Sequence, residues 1–221
     1  MISLYQLAWS PYCLIQRRIL EFGRIPFKTV EVSAGDRKRL WQLTRARYYE
    51  VPVLKHGRQV VFETGPDSQV IAKYLDNRFA LDLFPRECEG VQDILWRYFE
   101  NDVEAVGFKL NDIYWREFVP KADHCGFVRH KERRFGRGCL EEWRGQHPQL
   151  LARLEVLLNP AEKMLAARPF LLASRPVFAD FCLFGILANF LFTGHYELPA
   201  AMAHLRDWYG RMRSLRQSSS A

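Results

Sequence analysis

Apolar and polar positions in the first third of the chain follow two different periods. Apolar residues run together or alternate over residues 2–7 and 27–32, which predicts two strands. Between them, residues 11–22 carry an apolar side chain every three or four positions, and Gly23 follows, which predicts a helix and its end. Residues 35–48 are mostly polar with a few apolar positions, which predicts a short, exposed helix.

The alternating pattern returns before a second capped helix. Residues 53–55 and 59–62 predict two short strands, and His56-Gly57-Arg58 between them is a compact hairpin connection. A helix is expected to begin at Asp67-Ser68, since both residue types cap helices. The predicted order is βαβαββα, a small mixed sheet with helices on it.

Beyond residue 86 only the helical period remains. The predicted helices span residues 88–115, the second half of 120–143, 148–167, 178–192 and 199–213. Pro160 is expected to kink or divide its helix, because proline lacks an N–H and clashes with the preceding turn. Residues 79–86 are the predicted linker. The chain is therefore predicted to be α/β plus all-α, with one domain over residues 1–78, an all-helical domain over 87–216 and a frayed tail after it.

Composition narrows the class of protein. The 221 residues are 48% hydrophobic, enough for two small cores, and no apolar run approaches the roughly 20 residues that span a bilayer. The chain starts without a basic and apolar leader, so we expect a soluble, cytoplasmic protein with no membrane partner. Five cysteines without a C-x-x-C pair fit neither a disulfide framework nor a zinc site, and no metal is expected.

The net charge of +7 raises the question of nucleic acid. Basic residues concentrate over residues 129–137, with smaller groups at 37–39 and 206–216. Such a patch can hold phosphates, but no nucleic-acid motif accompanies it. We interpret the basic segment as a solvated face and do not expect a nucleic-acid partner.

Ser10-Pro11 is the local feature with the clearest chemistry. Serine caps helices and proline suits the first helical position, so Ser10 is expected at the N-terminus of the first helix. That end of the helix dipole stabilises an anion such as a thiolate. Either Ser10 is only a cap, through its hydroxyl, or it also serves a bound anion.

Three motifs of the first domain together resemble a known family. They are Ser10-Pro11-Tyr12-Cys13 before a helix, Val51-Pro52-Val53-Leu54 before a hairpin, and Asp67-Ser68 with Ile71, Tyr74 and Leu75 on the last helix. At these separations they resemble the thioredoxin-like domain of cytosolic glutathione transferases, and an all-helical second domain is what that family has. The resemblance covers nearly the whole chain.

The resemblance implies a glutathione site. Ser10 matches the family's active-site serine, whose hydroxyl stabilises the glutathione thiolate. Pro52 matches the family's cis-proline, which would turn the Val51 backbone toward the cysteinyl amide of glutathione. Ser68 matches the residue that receives the γ-glutamyl carboxylate, and Asp67 the acidic residue near the amino group.

Two assignments in this site stay open. Thr64-Gly65-Pro66 looks like an insertion, so Glu63-Thr64 is an alternative to Asp67-Ser68. The glycine carboxylate needs a cation, and Lys38 is chosen over three arginines of the same region, namely Arg39, Arg45 and Arg47.

The capping box that is expected in the second domain departs from the family pattern at one of its two positions. Val177 stands where the family has a capping hydroxyl, whereas Asp180 is kept. We expect Asp180 to cap a helix, with its reciprocal partner missing or supplied by Ser174.

The implied function is that of a glutathione transferase. The glutathione thiolate would attack, or reduce, a small hydrophobic electrophile held between the domains, with glutathione as co-substrate and a homodimer as the expected assembly. The residues expected to contact the electrophile are Trp9, Tyr12, Phe108, Asn111, Tyr114 and Trp115.

Two other functions stay open. Ser10-Pro11-Tyr12-Cys13 also resembles a glutaredoxin motif with its first cysteine replaced, so Cys13 could carry glutathione-dependent thiol transfer. We interpret Cys13 as structural. The fold could also serve as a binding or regulatory module without turnover, since fold alone does not fix function.

Overall fold

The computed structural model describes residues 1–64 and 69–216, and its first half is a small α/β unit. The elements are β1 (Ile2–Gln6), α1 (Pro11–Phe22), β2 (Phe27–Glu31), α2 (Lys38–Leu43), β3 (Val53–His56), β4 (Gln59–Phe62) and α3 (Val70–Phe79). The βαβαββα order is as predicted, and the first helix ends at Gly23 as its sequence indicated.

The sheet has the order β2-β1-β3-β4. β1 pairs with β2 in parallel and with β3 antiparallel, and β3 pairs antiparallel with β4. Because Tyr5 lies opposite Val53, the chain that leaves β1 and the chain that enters β3 meet at one edge of the sheet. This edge carries Ser10 and Pro52.

The second half is helical throughout. Its helices are α4 (Glu89–Tyr98), α5 (Glu104–Asp112), α6 (Trp115–Phe118), α7 (His124–Phe135), α8 (Cys139–Gly145), α9 (His147–Ala167), α10 (Phe178–Phe190) and α11 (Ala203–Ser214). Short 3₁₀ turns lie at Arg86–Cys88 and Lys121–Asp123. Within the described ranges, no helix is long and apolar enough to cross a bilayer.

Two helical elements differ in detail from the sequence pattern. The single helix expected over 88–115 is interrupted by a π-helical turn at Phe99–Val103, and α5 ends at Asp112. Pro160 does not divide α9, which runs unbroken from His147 to Ala167. Packing of the apolar face of α9 on the core outweighs one missing hydrogen bond.

The two halves pack through α1 and α10. Gly185 of α10 lies against the first turns of α1, where a Cβ on Gly185 would come within 2.8 Å of the Pro11 carbonyl oxygen and 2.4 Å of Ile15 Cγ1. The predicted linker also docks on the helical half, since the buried Leu83 carbonyl accepts hydrogen bonds from Phe178 N at 2.9 Å and Gln92 Nε2 at 3.1 Å. α1 is thus fixed from both domains.

Asp180 caps α10 as expected, with other partners than Ser174. Its buried carboxylate accepts hydrogen bonds from the backbone N–H groups of Val177 and Leu171, each at 3.0 Å, and from Trp208 Nε1 at 2.8 Å. The missing hydroxyl of the capping box is replaced by the Val177 carbonyl, which accepts from Asp180 N at 2.9 Å. Burial raises the pKa of Asp180 to about 6, and these hydrogen bonds oppose the shift.

Candidate active site

Ser10 lies between β1 and α1, directly before the first residue of α1. Its backbone is extended, with φ −64° and ψ 126°, and its carbonyl accepts a hydrogen bond from Leu14 N at 2.9 Å. The expected cap through the hydroxyl was wrong, because among the described residues the hydroxyl bonds to no N–H of α1. The side chain is 8% exposed and lines the main cleft between the domains. It can therefore serve a ligand at the positive end of the helix dipole.

Cys13 lies behind Ser10, away from solvent. Its fully buried thiol is hydrogen-bonded to the Ser10 side chain and to the backbone of Leu7. Burial raises the pKa of this thiol to about 12, so the sulfur keeps its proton at neutral pH. A protonated thiol can donate to the Ser10 oxygen, which leaves the hydroxyl proton for an acceptor in the cleft.

The Val51–Pro52 peptide bond is cis. Val51 lines the main cleft together with Ser10, whereas Pro52 lines a second pocket that adjoins it. The antiparallel pairing of β1 and β3 explains this proximity. Both residues that the sequence predicted for the cysteinyl part of glutathione therefore lie beside Ser10.

The adjoining pocket has acidic and amide side chains around Pro52. Three carboxylates, of Glu50, Glu63 and Glu100, line it together with Arg134, its single cation among the described residues. Gln16 also lines it, is 3% exposed and has an Oε1 without a hydrogen-bond partner among the described residues. The Glu63 carboxylate also accepts hydrogen bonds from Val70 N at 2.8 Å and Ile71 N at 3.3 Å, and so caps α3. This end of the site suits an ammonium group.

Asp67 and Ser68 lie outside the described residues. The open alternative, Glu63-Thr64, lies within them, and Glu63 is in the pocket beside Pro52. The helix that was expected to begin at Asp67-Ser68 begins at Val70 in the described part of the chain, after Gln69 at the cap position.

The other end of the cleft is basic. Arg37, just before α2, lines both the main cleft and an outer pocket formed with Arg129, His130 and Arg133 of α7. Arg37 Nη1 is buried and has no hydrogen-bond partner in the part of the chain that the structure describes. Burial lowers the pKa of the Arg37 guanidinium, and Glu50 opposes the shift. A desolvated guanidinium without a bonded carboxylate suits an anionic ligand.

Lys38, the cation predicted for the glycine carboxylate, does not line the cleft. Its side chain is exposed and is not among the residues that line these pockets. Two of the alternative arginines are also engaged elsewhere: Arg39 lies over the Tyr5 ring at 5.2 Å and Arg47 over the Phe62 ring at 5.2 Å. The basic residue that reaches the cleft is their neighbour Arg37.

A loop contact brings Arg37 next to α7. Asp123, just before α7, accepts hydrogen bonds from Ser33 Oγ and, at 3.0 Å, from Ala34 N. Gly35 and Gly126 meet so closely that a Cβ on Gly126 would lie 2.5 Å from Gly35 Cα. The loop after β2 is therefore held against the helical domain, with Arg37 at its end.

The electrophile side of the cleft matches the sequence prediction only in part. Trp9, Tyr12 and Phe108 line the cleft as expected, together with Phe127 and Phe135. These aromatic side chains give the cleft, of about 160 Å³, an apolar wall opposite the charged groups.

Asn111, Tyr114 and Trp115 do not line the cleft. Asn111 is completely buried, Tyr114 stacks on His195 with a centroid distance of 3.7 Å, and Trp115 stacks on Phe127 at 5.5 Å. The sequence pattern places all three in one long helix, but α5 ends at Asp112. The face that enters the cleft instead carries Glu104, Phe108 and Asp112.

The basic segment of α7 is not only a solvated face. His130, Lys131 and Arg134 line the cleft. Lys131 Nζ forms an ion pair with Asp112 at 2.5 Å and lies 4.6 Å from the centroid of the Phe108 ring. Among the described residues, no group of His, Cys, Asp and Glu is placed to hold a metal ion.

Comparisons with known proteins agree with the two-part fold. A family model for the N-terminal domain of glutathione S-transferases matches residues 4–83, and one for the C-terminal domain matches residues 138–211. The chain belongs to the glutathione S-transferase family. No curated protein matches the sequence at a significant level.

Solved structures of other proteins share this fold. A glutathione transferase from Phanerochaete chrysosporium has a TM-score of 0.80 at 20% identity, over 96% of both chains. A glutathione S-transferase from Ceriporiopsis subvermispora in complex with glutathione has 0.76 at 19% identity, over 96% of this chain and 94% of that one. Glutaredoxin 2 from Salmonella typhimurium in complex with glutathione has 0.73 at 20% identity, with the same coverage.

Several cleft residues of this transferase-family chain escaped the sequence reasoning. Arg37 belonged to a basic run that looked like surface, and Glu104 and Asp112 were hidden in a long helical pattern. A spacing of four between Glu104, Phe108 and Asp112 was the available signal, since it places them on one helix face.

Proposed function

We propose that the protein is a glutathione transferase in which Ser10 stabilises the glutathione thiolate for attack on a small hydrophobic electrophile. The observation that carries the proposal is that Ser10, at the start of α1, and Val51, whose peptide bond to Pro52 is cis, line one cleft. A hydroxyl donor and a helix N-terminus both favour the ionised sulfur, which lowers its pKa and supplies a nucleophile at neutral pH.

The charges along the site give glutathione one direction of binding. Its α-ammonium would lie at the acidic end near Glu63 and Gln16, and its glycine carboxylate at the basic end near Arg37. The cysteinyl backbone would pair with Val51, which leaves the sulfur at Ser10. Asp67 and Ser68 stay predictions for the γ-glutamyl group.

The electrophile would bind on the aromatic side of the cleft. Trp9, Tyr12 and Phe108 line that side and exclude water from the sulfur. A homodimer is expected from the family, as two-fold dimers are the commonest assembly. We also expect a cytoplasmic location, where the free thiols would stay reduced.

The experiment is a calorimetric titration of glutathione into the parent protein and its Ser10→Ala variant at two pH values, with turnover of chlorodinitrobenzene measured in parallel. In the parent we expect binding with proton release. In the variant we expect binding without that release and a kcat/KM lower by about 100- to 1,000-fold, the size of effect seen when one donor to a reacting anion is removed. Ser214→Ala, on the exposed face of α11, is the control.

Thiol transfer through Cys13 is the second candidate, favoured by the motif and by the glutaredoxin 2 neighbour. It requires the buried thiol to react, which its raised pKa opposes. If Cys13→Ser abolished reduction of a glutathione mixed disulfide while Ser10→Ala left it unchanged, thiol transfer would replace our proposal. Absence of glutathione binding in every variant would refute both and leave the non-catalytic module.

A further inference from the structure

Helix α5 presents two carboxylates to the cleft. Glu104, Phe108 and Asp112 follow one another at a spacing of four, which places them along one face of the helix, and all three line the cleft with Ser10. Glu104 begins the helix directly after the π-helical turn at Phe99–Val103. A carboxyl group therefore shares the cleft with the residue proposed to hold the nucleophile.

The two carboxylates are in different states. Asp112 is buried and paired with Lys131 at 2.5 Å, so its charge is balanced. In the described part of the chain, by contrast, neither a hydrogen bond nor an ion pair holds the half-buried Glu104 carboxylate. Nothing in α7 or α10 fixes it, and it can turn toward a ligand in the cleft.

The charges around Glu104 come from several elements. Lys131 and Arg134 of α7 and Lys109 of its own helix favour the ionised form, while Asp112 opposes it. Tyr12 of α1, Cys182 of α10 and Glu100 of the π turn also lie near this part of the cleft. Burial is the largest effect and raises the pKa of Glu104 to about 7. A large fraction of the group is therefore protonated at neutral pH, as a general acid requires.

We propose, on the basis of the proposed transferase function, that Glu104 is the general acid for addition of glutathione to activated alkenes, that is, α,β-unsaturated carbonyl compounds. The thiolate forms a carbon–sulfur bond at the β carbon, and the alkene π pair moves to the α carbon and carbonyl oxygen. The O–H bond of Glu104 breaks and its proton goes to that enolate. The Glu104 carboxylate then takes a proton from solvent. This balances the proton that the glutathione thiol released to solvent when it ionised.

This role separates two classes of electrophile. Displacement at an aryl halide releases a halide ion with its electron pair, and no proton has to be supplied. Addition to an alkene leaves a carbanion or enolate that must be protonated. An acid in the cleft therefore helps only the second class, and the aromatic wall formed by Trp9 and Phe108 suits substrates of either class.

The test compares two substrates in Glu104→Gln, an uncharged variant of nearly the same shape. We expect kcat/KM for benzylideneacetone, an enone, to fall by about 100-fold or more, and kcat/KM for chlorodinitrobenzene to change by less than about threefold. In the parent, the ratio of enone to aryl halide rate should fall as pH rises through about 7, where Glu104 loses its proton, and this step should be absent in the variant. Glu104→Asp should keep the pH step, and Glu155→Gln on the exposed face of α9 is the matched control.

Three results would overturn the inference. An unchanged ratio of the two rates in Glu104→Gln, or a parent that turns over the aryl halide and not the enone, would refute the role of Glu104 and leave the transferase function intact. A parent that binds no glutathione and turns over neither substrate would refute both, and the calorimetric titration separates that case from the first two.

Discussion

Arg37 and Lys38 are neighbours in the sequence, but their side chains have different surroundings. Arg37 lines the cleft with a buried Nη1 that lacks a partner among the described residues, whereas Lys38 is exposed. If Arg37 binds the glycine carboxylate of glutathione, Arg37→Ala should weaken glutathione binding by about 10- to 100-fold. A charge-assisted hydrogen bond contributes about 1.5–3 kcal/mol, and every 1.4 kcal/mol is tenfold in Kd. Calorimetric titration measures this directly.

Lys38→Ala is the matched control for that substitution. It removes a positive charge one residue away, so it reproduces the long-range effect of charge without the contact. We expect less than a twofold change in Kd. Equal losses in both variants would show that only the net charge of the region matters, and a loss confined to Lys38→Ala would restore the assignment made from the sequence.

At the scale of single residues, the sequence could predict the positions of groups that are fixed by their neighbours in the chain. Ser10 precedes a proline at a helix start, and Val51–Pro52 precedes a hairpin, so their positions follow from nearby spacing. Arg37 and Glu104 could not be predicted in this way. They matter because a loop and a helix that are about 70 residues apart in the chain face the same cleft.

At the scale of elements, the hydrophobic period predicted nearly every helix and strand but not the breaks within them. The π turn at Phe99–Val103 contains neither glycine nor proline, and the apolar period continues from Phe99 to Val103, so the pattern from 88 to 115 looks continuous. Pro160 is the opposite case: the sequence marks a possible division of the helix, but α9 runs through this proline because its apolar face is buried. Tertiary packing decided both cases.

The contact of α1 with α10 yields a prediction at this scale. In Gly185→Ala, the new methyl group would lie 2.4 Å from Ile15 Cγ1 and 2.8 Å from the Pro11 carbonyl oxygen. The Pro11 carbonyl belongs to the backbone of α1, so it cannot rotate away as a side chain can. We expect the variant to be destabilised by about 1–3 kcal/mol, as in other overpacked cores. Displacement of the first turn of α1 should also weaken glutathione binding. Urea denaturation and calorimetry measure the two effects.

Gly107→Ala in α5 is the control for Gly185→Ala. Its Cβ would approach only Phe190 Cβ, at an ordinary 3.8 Å, and alanine has the higher helix propensity by about 1 kcal/mol. The control should therefore be neutral or slightly stabilising. If Gly185→Ala were as stable as the parent, α1 and α10 would have to separate more easily than their close contact indicates.

At the scale of the whole molecule, the order of an α/β half and a helical half was predictable, but the cleft between them was not. Contacts between the halves shape the cleft, among them Gly185 on α1, the docked segment around Leu83, and Asp123 on the loop after β2. These contacts join residues at least 89 positions apart in the chain, apart from the shorter reach between Leu83 and Gln92. Period and spacing contain no information about such pairs.

A ligand in this cleft touches both halves, and this has a measurable consequence for unfolding. The proposed glutathione site uses Ser10, Val51 and Arg37 from the first half and is closed by residues of α5 and α7 from the second. At glutathione concentrations of about 100 times Kd, binding to the folded state adds about 2.7 kcal/mol to its stability. For a chain of this length that corresponds to a rise in Tm of roughly 5–10 °C. Scanning calorimetry should show one transition that moves as a unit, and hydrogen exchange should show added protection in α1 and in α7 alike.

Glutathione that lacks its glycine, γ-glutamylcysteine, is the control ligand: without the carboxylate that Arg37 is proposed to bind, it should give a clearly smaller shift at the same concentration. If two transitions appeared and glutathione moved only one of them, the site would belong to a single half and the helical domain would not close it.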